Sequence, residues 1–201
     1  MKMPVSTAVA FLTKLLVQRS PHLGSANVEL ASATLSAKNP QLMTWNTLAK
    51  ALEGNWLDIN GANLETRHMH AEYLTVFWDA LVNVRPELGP MYPTDRLRVR
   101  RALLVDAAAA IGAFIHVAAR LYPRTDFSLL AHLRDSAPGT SLDFFSRENP
   151  IWIEVGLLEP EVTRSGQRVL HVRNTKGVHA AVRQLVSALL GLNPSQETAI
   201  A

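Results

Sequence analysis

The sequence predicts a mainly α-helical protein, a helical bundle with a small β-hairpin near its C-terminus. Apolar residues recur at intervals of three and four in several segments, which is the spacing of an amphipathic helix. Alanines dominate 107–113, where small side chains allow a neighbouring helix to approach closely. Two β-prone runs flank the turn pair Ser165-Gly166. With 201 residues, of which 48% are hydrophobic, the chain can bury a core without disulfides or metal ions.

Six helices are predicted from capping residues and apolar spacing. A Ser, Thr, Asn or Asp side chain ahead of an apolar stripe can accept a hydrogen bond from a free backbone N–H of the first turn. A glycine or proline after the stripe ends the helix. The predicted helices run from Ser6 or Thr7 to about Gln18, from Trp45 to Leu52 behind Thr44, from Asn63 to about Val84, from Thr94 to Leu121, from Asp126 to about Leu133, and from Asn174 or Thr175 to Leu190.

The remaining segments are predicted to be irregular or extended. The stretch 22–40 is rich in Ser, Ala and Asn and lacks helical periodicity, and 136–140 has the composition of a loop. The predicted hairpin pairs a strand from Ile151 to Leu158 with one from Arg168 to Val172. We therefore expect a single helical domain over 1–192, followed by a flexible tail over 193–201.

The composition excludes several classes of function. The chain has no cysteine, so it cannot form thiolate metal sites, iron–sulfur clusters, cysteine nucleophiles or disulfides, and a cytoplasmic location is expected. Its longest apolar run, 107–119, is interrupted by His116 and falls short of the ~20 residues of a membrane span. It contains no nucleophile elbow, phosphate-binding loop or zinc-protease motif. We therefore expect no catalytic activity from this chain alone, and no cofactor.

One group of side chains has the spacing of metal ligands. Glu65, His68 and Glu72 share a face of the predicted helix that follows Asn63. Carboxylate-bridged metal sites in helical bundles need a second Glu-x-x-His pair and further carboxylates on other helices, which this sequence does not supply. These residues are therefore predicted to be solvent-exposed polar groups, and no bound metal is expected.

A run of arginines gives the strongest indication of a partner. Arg96, Arg98, Arg100 and Arg101 fall within six positions, in the half of the chain that carries thirteen basic and ten acidic residues. On a helix, Arg96 and Arg100 share one face, and Arg98 and Arg101 share another. Such a stripe suits contacts with DNA phosphates. The alternative is a solvated face that balances nearby acidic residues.

A second candidate contact lies where the last predicted helix begins. Arg173 and Lys176 flank the start of this helix, in the sequence Arg-Asn-Thr-Lys-Gly at 173–177. The free N–H groups of a helix N-terminus, together with these two cations, could hold a phosphate oxygen. Ordinary capping of the helix is the alternative.

Taken in order, several segments resemble a known family. The resemblance spans roughly 8–190 and consists of apolar and turn residues. The matching segments are Leu-Leu-Val-x-x-Ser-Pro at 15–21, Val28-Glu29, Thr34-Leu35-Ser36, Leu42-x-Thr44, Glu72, Phe77-Trp78, the alanine-rich helix, Asn149-Pro150-x-Trp152 and the glycine turn into the final helix. Together they resemble the C-terminal helical part of the DGQHR-domain proteins, the family of DndB-like proteins of DNA sulfur (phosphorothioate) modification.

The resemblance implies an accessory or regulatory role in DNA modification. DndB-like proteins regulate transcription of the modification operon, which implies contact with DNA. The family's signature lies in an N-terminal portion that is missing here, because Ser165-Gly166-Gln167-Arg168 does not match it. No signature residue can therefore be transferred to this chain.

Two other functions remain open on the sequence. The domain could be a protein–protein docking module that binds the DGQHR-bearing half or other modification subunits. It could also complete an enzyme site that the missing half mainly supplies. DNA binding that weakens with salt would separate the first interpretation from the docking module.

Overall fold

The computed structural model describes residues 6–32, 34–36, 39–136, 140–163 and 165–192. The predicted tail over 193–201 and the centre of the predicted loop at 136–140 lie outside these ranges. Within them, helices dominate and the strands form two small sheets. The predicted mainly α-helical fold with a small hairpin is confirmed.

Seven α-helices are present in the described ranges. They are α1 (Thr7–Arg19), α2 (Trp45–Asn55), α3 (Leu64–Val84), α4 (Pro93–Ala102), α5 (Ala108–Leu121), α6 (Ile151–Glu154) and α7 (Lys176–Leu189), with two 3₁₀ helices at Pro86–Leu88 and Ser128–Arg134. Predicted caps are confirmed at four N-termini, since side-chain oxygens of Ser6, Thr44, Asn63 and Thr175 accept first-turn N–H groups.

The bundle is organised around α5. This helix packs against both α2 and α7, while α1 packs against α2 and α3. Ten of its fourteen residues are buried, and the small ones among them let the flanking helices approach. The prediction that the alanine-rich segment lies at the centre of the bundle is therefore confirmed.

The single helix predicted from Thr94 to Leu121 is wrong, because the chain breaks between α4 and α5. The segment 143–147 pairs with the break: the Leu104 N–H donates to the Phe145 carbonyl at 2.9 Å, and the Arg147 N–H donates to the Ala102 carbonyl at 2.8 Å. These tertiary hydrogen bonds replace the helical ladder there. As a result α5 begins at Ala108 without a side-chain cap.

The hairpin is present, but its first strand is shorter than predicted. Strand β3 (Leu158–Val162) pairs antiparallel with β4 (Arg168–Val172), and Leu158 lies opposite Val172. Of the expected strand from Ile151 to Leu158, only Leu158 belongs to β3, because α6 forms one helical turn over Ile151–Glu154 and a turn follows it. Gly156, with φ of +75°, reverses the chain between this turn and β3.

The irregular stretch 22–40 contains one short extended element. Strand β1 (Val28–Glu29) pairs in parallel with β2 (Met43–Thr44), which leads directly into α2. Across the described ranges, no helix combines the length and apolar character required to cross a membrane.

His70 makes the stability of the fold depend on pH. Its ring is buried on α3 and lies edge-on to the rings of Trp56 and Tyr122, with centroid distances of 5.4 and 5.3 Å. Burial lowers the pKa of His70 below its usual value of 6.5. The unfolded chain therefore binds a proton that the folded chain resists, and stability is lost as the pH falls through and below about 6.5.

We expect the His70→Phe variant, which keeps a ring in this cluster, to lose less stability than the wild type between about pH 7 and about pH 5. Urea denaturation at each pH measures this. His132→Asn is the control, because the His132 side chain is 59% exposed. Equal pH dependence in the wild type and in His70→Phe would contradict the prediction.

A basic cleft as the candidate functional site

The arginine run does not form one surface stripe, because Arg96 is fully buried. Its guanidinium donates to the carbonyl oxygens of Pro40, Glu87 and Gly89 and to Oδ1 of Asn27, at 2.5–3.1 Å. Burial lowers the pKa of Arg96 to about 10, so the group stays charged at neutral pH. Arg96 is therefore a structural residue, and its predicted contact with DNA is wrong.

Arg100 is also held by the protein. Its Nε donates to Oδ2 of Asp106 at 2.9 Å, and both side chains are more than four-fifths buried. Its other nitrogens donate to the carbonyl oxygens of Ser36, Asn39 and Gln41. Burial raises the pKa of Asp106, while Arg100 acts in the opposite direction. Arg100 thus fixes the chain ahead of β2, and four of its five N–H donors are used within the protein.

The other arginines of the predicted set are exposed. Arg98 is 80% exposed and lies 3.2 Å from Asp95, one turn earlier on α4. Arg101 is exposed at the end of the same helix. Arg173 pairs with Glu159 across the hairpin at 3.3 Å. Arg98 and Arg101 are thus the two arginines of the run that are accessible to DNA, and a contact through them is the alternative to the cleft described below.

Lys176 lies at the edge of a cleft of about 650 Å³ between α2, α5 and α7. Four basic side chains line this cleft: Lys50, Lys176, His179 and Arg183. Among the described residues that line it, none is an aspartate or a glutamate. The predicted capping and the predicted phosphate contact at 173–177 are compatible, because Thr175 caps α7 while Lys176 borders the cleft.

One wall of the cleft is a single face of α2. Thr44, Thr47, Lys50, Ala51 and Asn55 recur at helical spacing along it. The Thr44 cap aligns the start of this wall, since its hydroxyl accepts the Thr47 N–H at 3.0 Å. Lys50 is exposed at the middle of the wall, so its ammonium is free to reach a ligand at the mouth.

The first two turns of α7 form the opposite wall of the cleft, and α5 forms its floor. Lys176, His179 and Arg183 follow one another on the same face of α7. On α5, Ala108 and Gly112 line the floor with almost no side chain. The N-termini of α2, α5 and α7 border the cleft, and each carries a partial positive charge. Gly54 and Asn55 bring the C-terminal turn of α2, with its partial negative charge, to the same cleft.

Side chains from both walls of the cleft, on α2 and α7, approach Gly112 of α5. A Cβ placed on Gly112 would lie 3.3 Å from Nδ2 of Asn55 and 4.0 Å from Nδ1 of His179. Nη1 of Arg183 donates to Oδ1 of Asn55 at 2.9 Å, which links the first and last helices of the cleft. The Asn55 amide is anchored in turn, because its Nδ2 donates to the Ala51 carbonyl at 2.8 Å. Glycine at 112 thus allows three polar side chains to converge.

The electrostatics of the cleft favour a negatively charged ligand. Burial, and then the neighbouring Arg183, lower the pKa of His179, so its ring is neutral at pH 7 and offers one N–H donor. Lys50, Lys176 and Arg183 supply three positive charges around it. Cations grouped in a cleft with low-dielectric walls concentrate anions near it.

The candidate metal ligands on α3 lie at the surface of the protein. Glu65 and Glu72 are exposed, and His68 lies edge-on to Phe11 with ring centroids 5.9 Å apart. In the described ranges, no three His, Asp or Glu side chains are grouped so that they could hold a metal ion. The prediction that the protein binds no metal awaits elemental analysis.

Comparisons of the chain with protein-family models, with curated proteins and with solved structures each find no match. The resemblance to the DGQHR-domain proteins therefore stays a prediction.

The sequence predicts the helix caps that border the cleft, and among its basic residues it predicts only Lys176 as a phosphate contact. It does not predict Lys50, Asn55, His179 or Arg183 as members of a site. A helical signal was available for α7, where basic residues recur at positions 176, 179 and 183. No local pattern connects Lys50 to them, because α2 and α7 are more than a hundred residues apart.

Proposed function

We propose that this chain is a non-catalytic accessory or regulatory domain of a DNA-modification system that contacts DNA phosphates through the basic cleft. The proposal rests on the charge of the cleft. The charged residues that line it are all cationic: Lys50, Lys176 and Arg183. The role in DNA modification rests on the resemblance to the DGQHR-domain proteins. Its partners would be DNA and either the DGQHR-bearing half or other subunits of the modification system.

Binding through such a cleft should be weak and nearly independent of sequence. Phosphate contacts position a protein on DNA but carry little sequence information. A dissociation constant on the order of 10⁻⁴ to 10⁻⁶ M is expected at physiological salt. If the two exposed lysines at the mouth of the cleft, Lys50 and Lys176, each contact a phosphate, the log–log salt slope is about −1.8, from ~0.9 for each phosphate neutralised.

The test is fluorescence anisotropy with a short duplex that ends in hydroxyl groups, repeated across a salt series. We expect a variant carrying Lys50→Ala and Lys176→Ala to bind much more weakly, with a slope shallower by about 1.8. The matched control carries Arg98→Ala and Arg101→Ala, two exposed arginines outside the cleft. This control should keep the wild-type slope.

Two results would overturn the placement of the contact. If the control loses the salt dependence and the cleft variant keeps it, DNA binds along α4. If the wild type binds no DNA at low salt, the proposal fails and the docking module becomes the better explanation. Circular dichroism and thermal melting of both variants ensure that altered binding does not reflect unfolding.

A further inference from the structure

The cleft has the dimensions of a small-molecule site and not of a duplex groove. Its volume of about 650 Å³ falls within the range of ~300–1,000 Å³ typical of ligand pockets. Helices form two walls and the floor, so the backbone of a continuous duplex can touch only the rim. A single terminal group, in contrast, can enter and reach the floor.

The donors at the floor differ from those at the rim. Lys50 and Lys176 are exposed at the mouth, where they can meet any passing phosphate. Arg183, Asn55 and His179 converge deeper, above the Gly112 backbone.

The charge of the cleft exceeds that of one phosphodiester. A phosphodiester carries a single negative charge, whereas a phosphate monoester carries ≈ 1.5–2 negative charges at neutral pH and three acceptor oxygens. Three cations, one neutral imidazole and the uncapped N-terminus of α5 can satisfy more acceptors than a diester offers. The excess matches the extra charge and oxygen of a monoester.

We infer that the cleft between α2, α5 and α7 binds a terminal phosphate monoester, with Lys50 and Lys176 at the entrance and Arg183 and His179 around the innermost oxygens. This deepens the proposed function and rests on it. The same chemistry is presented by the phosphorylated end of a DNA strand and by a free nucleoside monophosphate.

The test uses one duplex in three forms: hydroxyl ends, 5′-phosphate ends and 3′-phosphate ends. Anisotropy is measured with an internal label at fixed salt. We expect one phosphorylated form to bind about tenfold more tightly than the hydroxyl form, which corresponds to ~1.4 kcal/mol for the added charged contacts. Adenosine monophosphate and adenosine serve as competitors, and only the monophosphate should displace the duplex.

Single substitutions test which residues cause the preference for a phosphorylated end. Arg183→Gln and His179→Asn should each remove the preference for a phosphorylated end, while binding of the hydroxyl-ended duplex changes little. Arg101→Ala should keep the full preference. If the monophosphate competes as well as the phosphorylated end does, the ligand source is a free nucleotide and the inference stands.

Equal affinity for all three duplexes, with no competition by the monophosphate, would overturn the inference. The proposed function would survive that result, because the hydroxyl-ended duplex would still lose binding when Lys50 and Lys176 are replaced. Conversely, if that double variant binds the hydroxyl-ended duplex as the wild type does and loses only the preference for phosphorylated ends, the inference stands and the proposed contact with the duplex fails.

Discussion

The Arg96→Ala variant is expected to lose most of the stability of the fold. The substitution removes the donor from the carbonyl oxygens of Pro40, Glu87 and Gly89, which are buried or partly buried. Oδ1 of Asn27 loses one of its two donors and keeps the Leu42 N–H at 3.2 Å. Each buried acceptor that loses its partner costs ~1–3 kcal/mol. Their sum is comparable to the whole stability of a domain, ~5–15 kcal/mol. Urea denaturation should show a loss of at least about 3 kcal/mol, or no folded state at all.

The matched control lies two residues away on α4. Arg98→Ala removes the same side chain from a position that is 80% exposed, where the cost is expected to stay within about 0.5 kcal/mol. Arg96→Lys should also destabilise strongly, since one ammonium cannot reproduce the planar fork of a guanidinium. Equal urea midpoints for Arg96→Ala and Arg98→Ala would show that Arg96 does not hold this part of the fold.

Truncation of Trp152 should have the second large effect. Its indole is fully buried on α6, stacked on Phe145 with centroids 6.0 Å apart and edge-on to Phe144 at 5.1 Å. Its Nε1 donates to the Phe144 carbonyl at 3.0 Å. Replacing a buried Trp by Ala costs ~3–5 kcal/mol, because both the transfer energy and the packing around the indole are lost.

Trp152→Phe separates the ring from the hydrogen bond. The Phe144 carbonyl keeps a donor in that variant, because Nδ2 of Asn149 also donates to it at 2.9 Å. We therefore expect a clearly smaller loss than for Trp152→Ala, measured by urea denaturation with an unchanged slope. A wild-type midpoint for Trp152→Ala would mean that the cluster around Phe145 is not part of the stabilising core.

Local patterns predicted the elements of the fold well and their tertiary contacts poorly. Caps such as Asn63 depend on a few neighbouring residues, so the start of α3 could be read directly from the sequence. The break before α5 depends on hydrogen bonds from 143–147, which no window around Leu104 contains. Trp152 lies in a β-prone run, yet the turn that buries it is helical, because packing overrides propensity.

The difference between local patterns and tertiary contacts also explains which residues of the candidate site could be predicted from the sequence. Helical spacing correctly placed Arg96 and Arg100 on one face of α4, but it could not decide whether that face meets solvent or carbonyl oxygens. The acceptors come from Pro40, Gly89 and other positions in loops, which have no periodic signature. Lys176 was recognised because its signal, a capped helix start with a nearby cation, is entirely local.

The hydrogen bond between Arg183 and Asn55 joins residues 128 positions apart. Closing so long a loop costs conformational entropy before any contact compensates for it, so contacts of this range slow folding more than local contacts do. During synthesis, α1, α2 and α3 emerge from the ribosome and can pack together well before α7 has been made. Of the three helices that form the cleft, α7 is made last during synthesis, and a nascent chain cannot hold a ligand between all three until α7 docks.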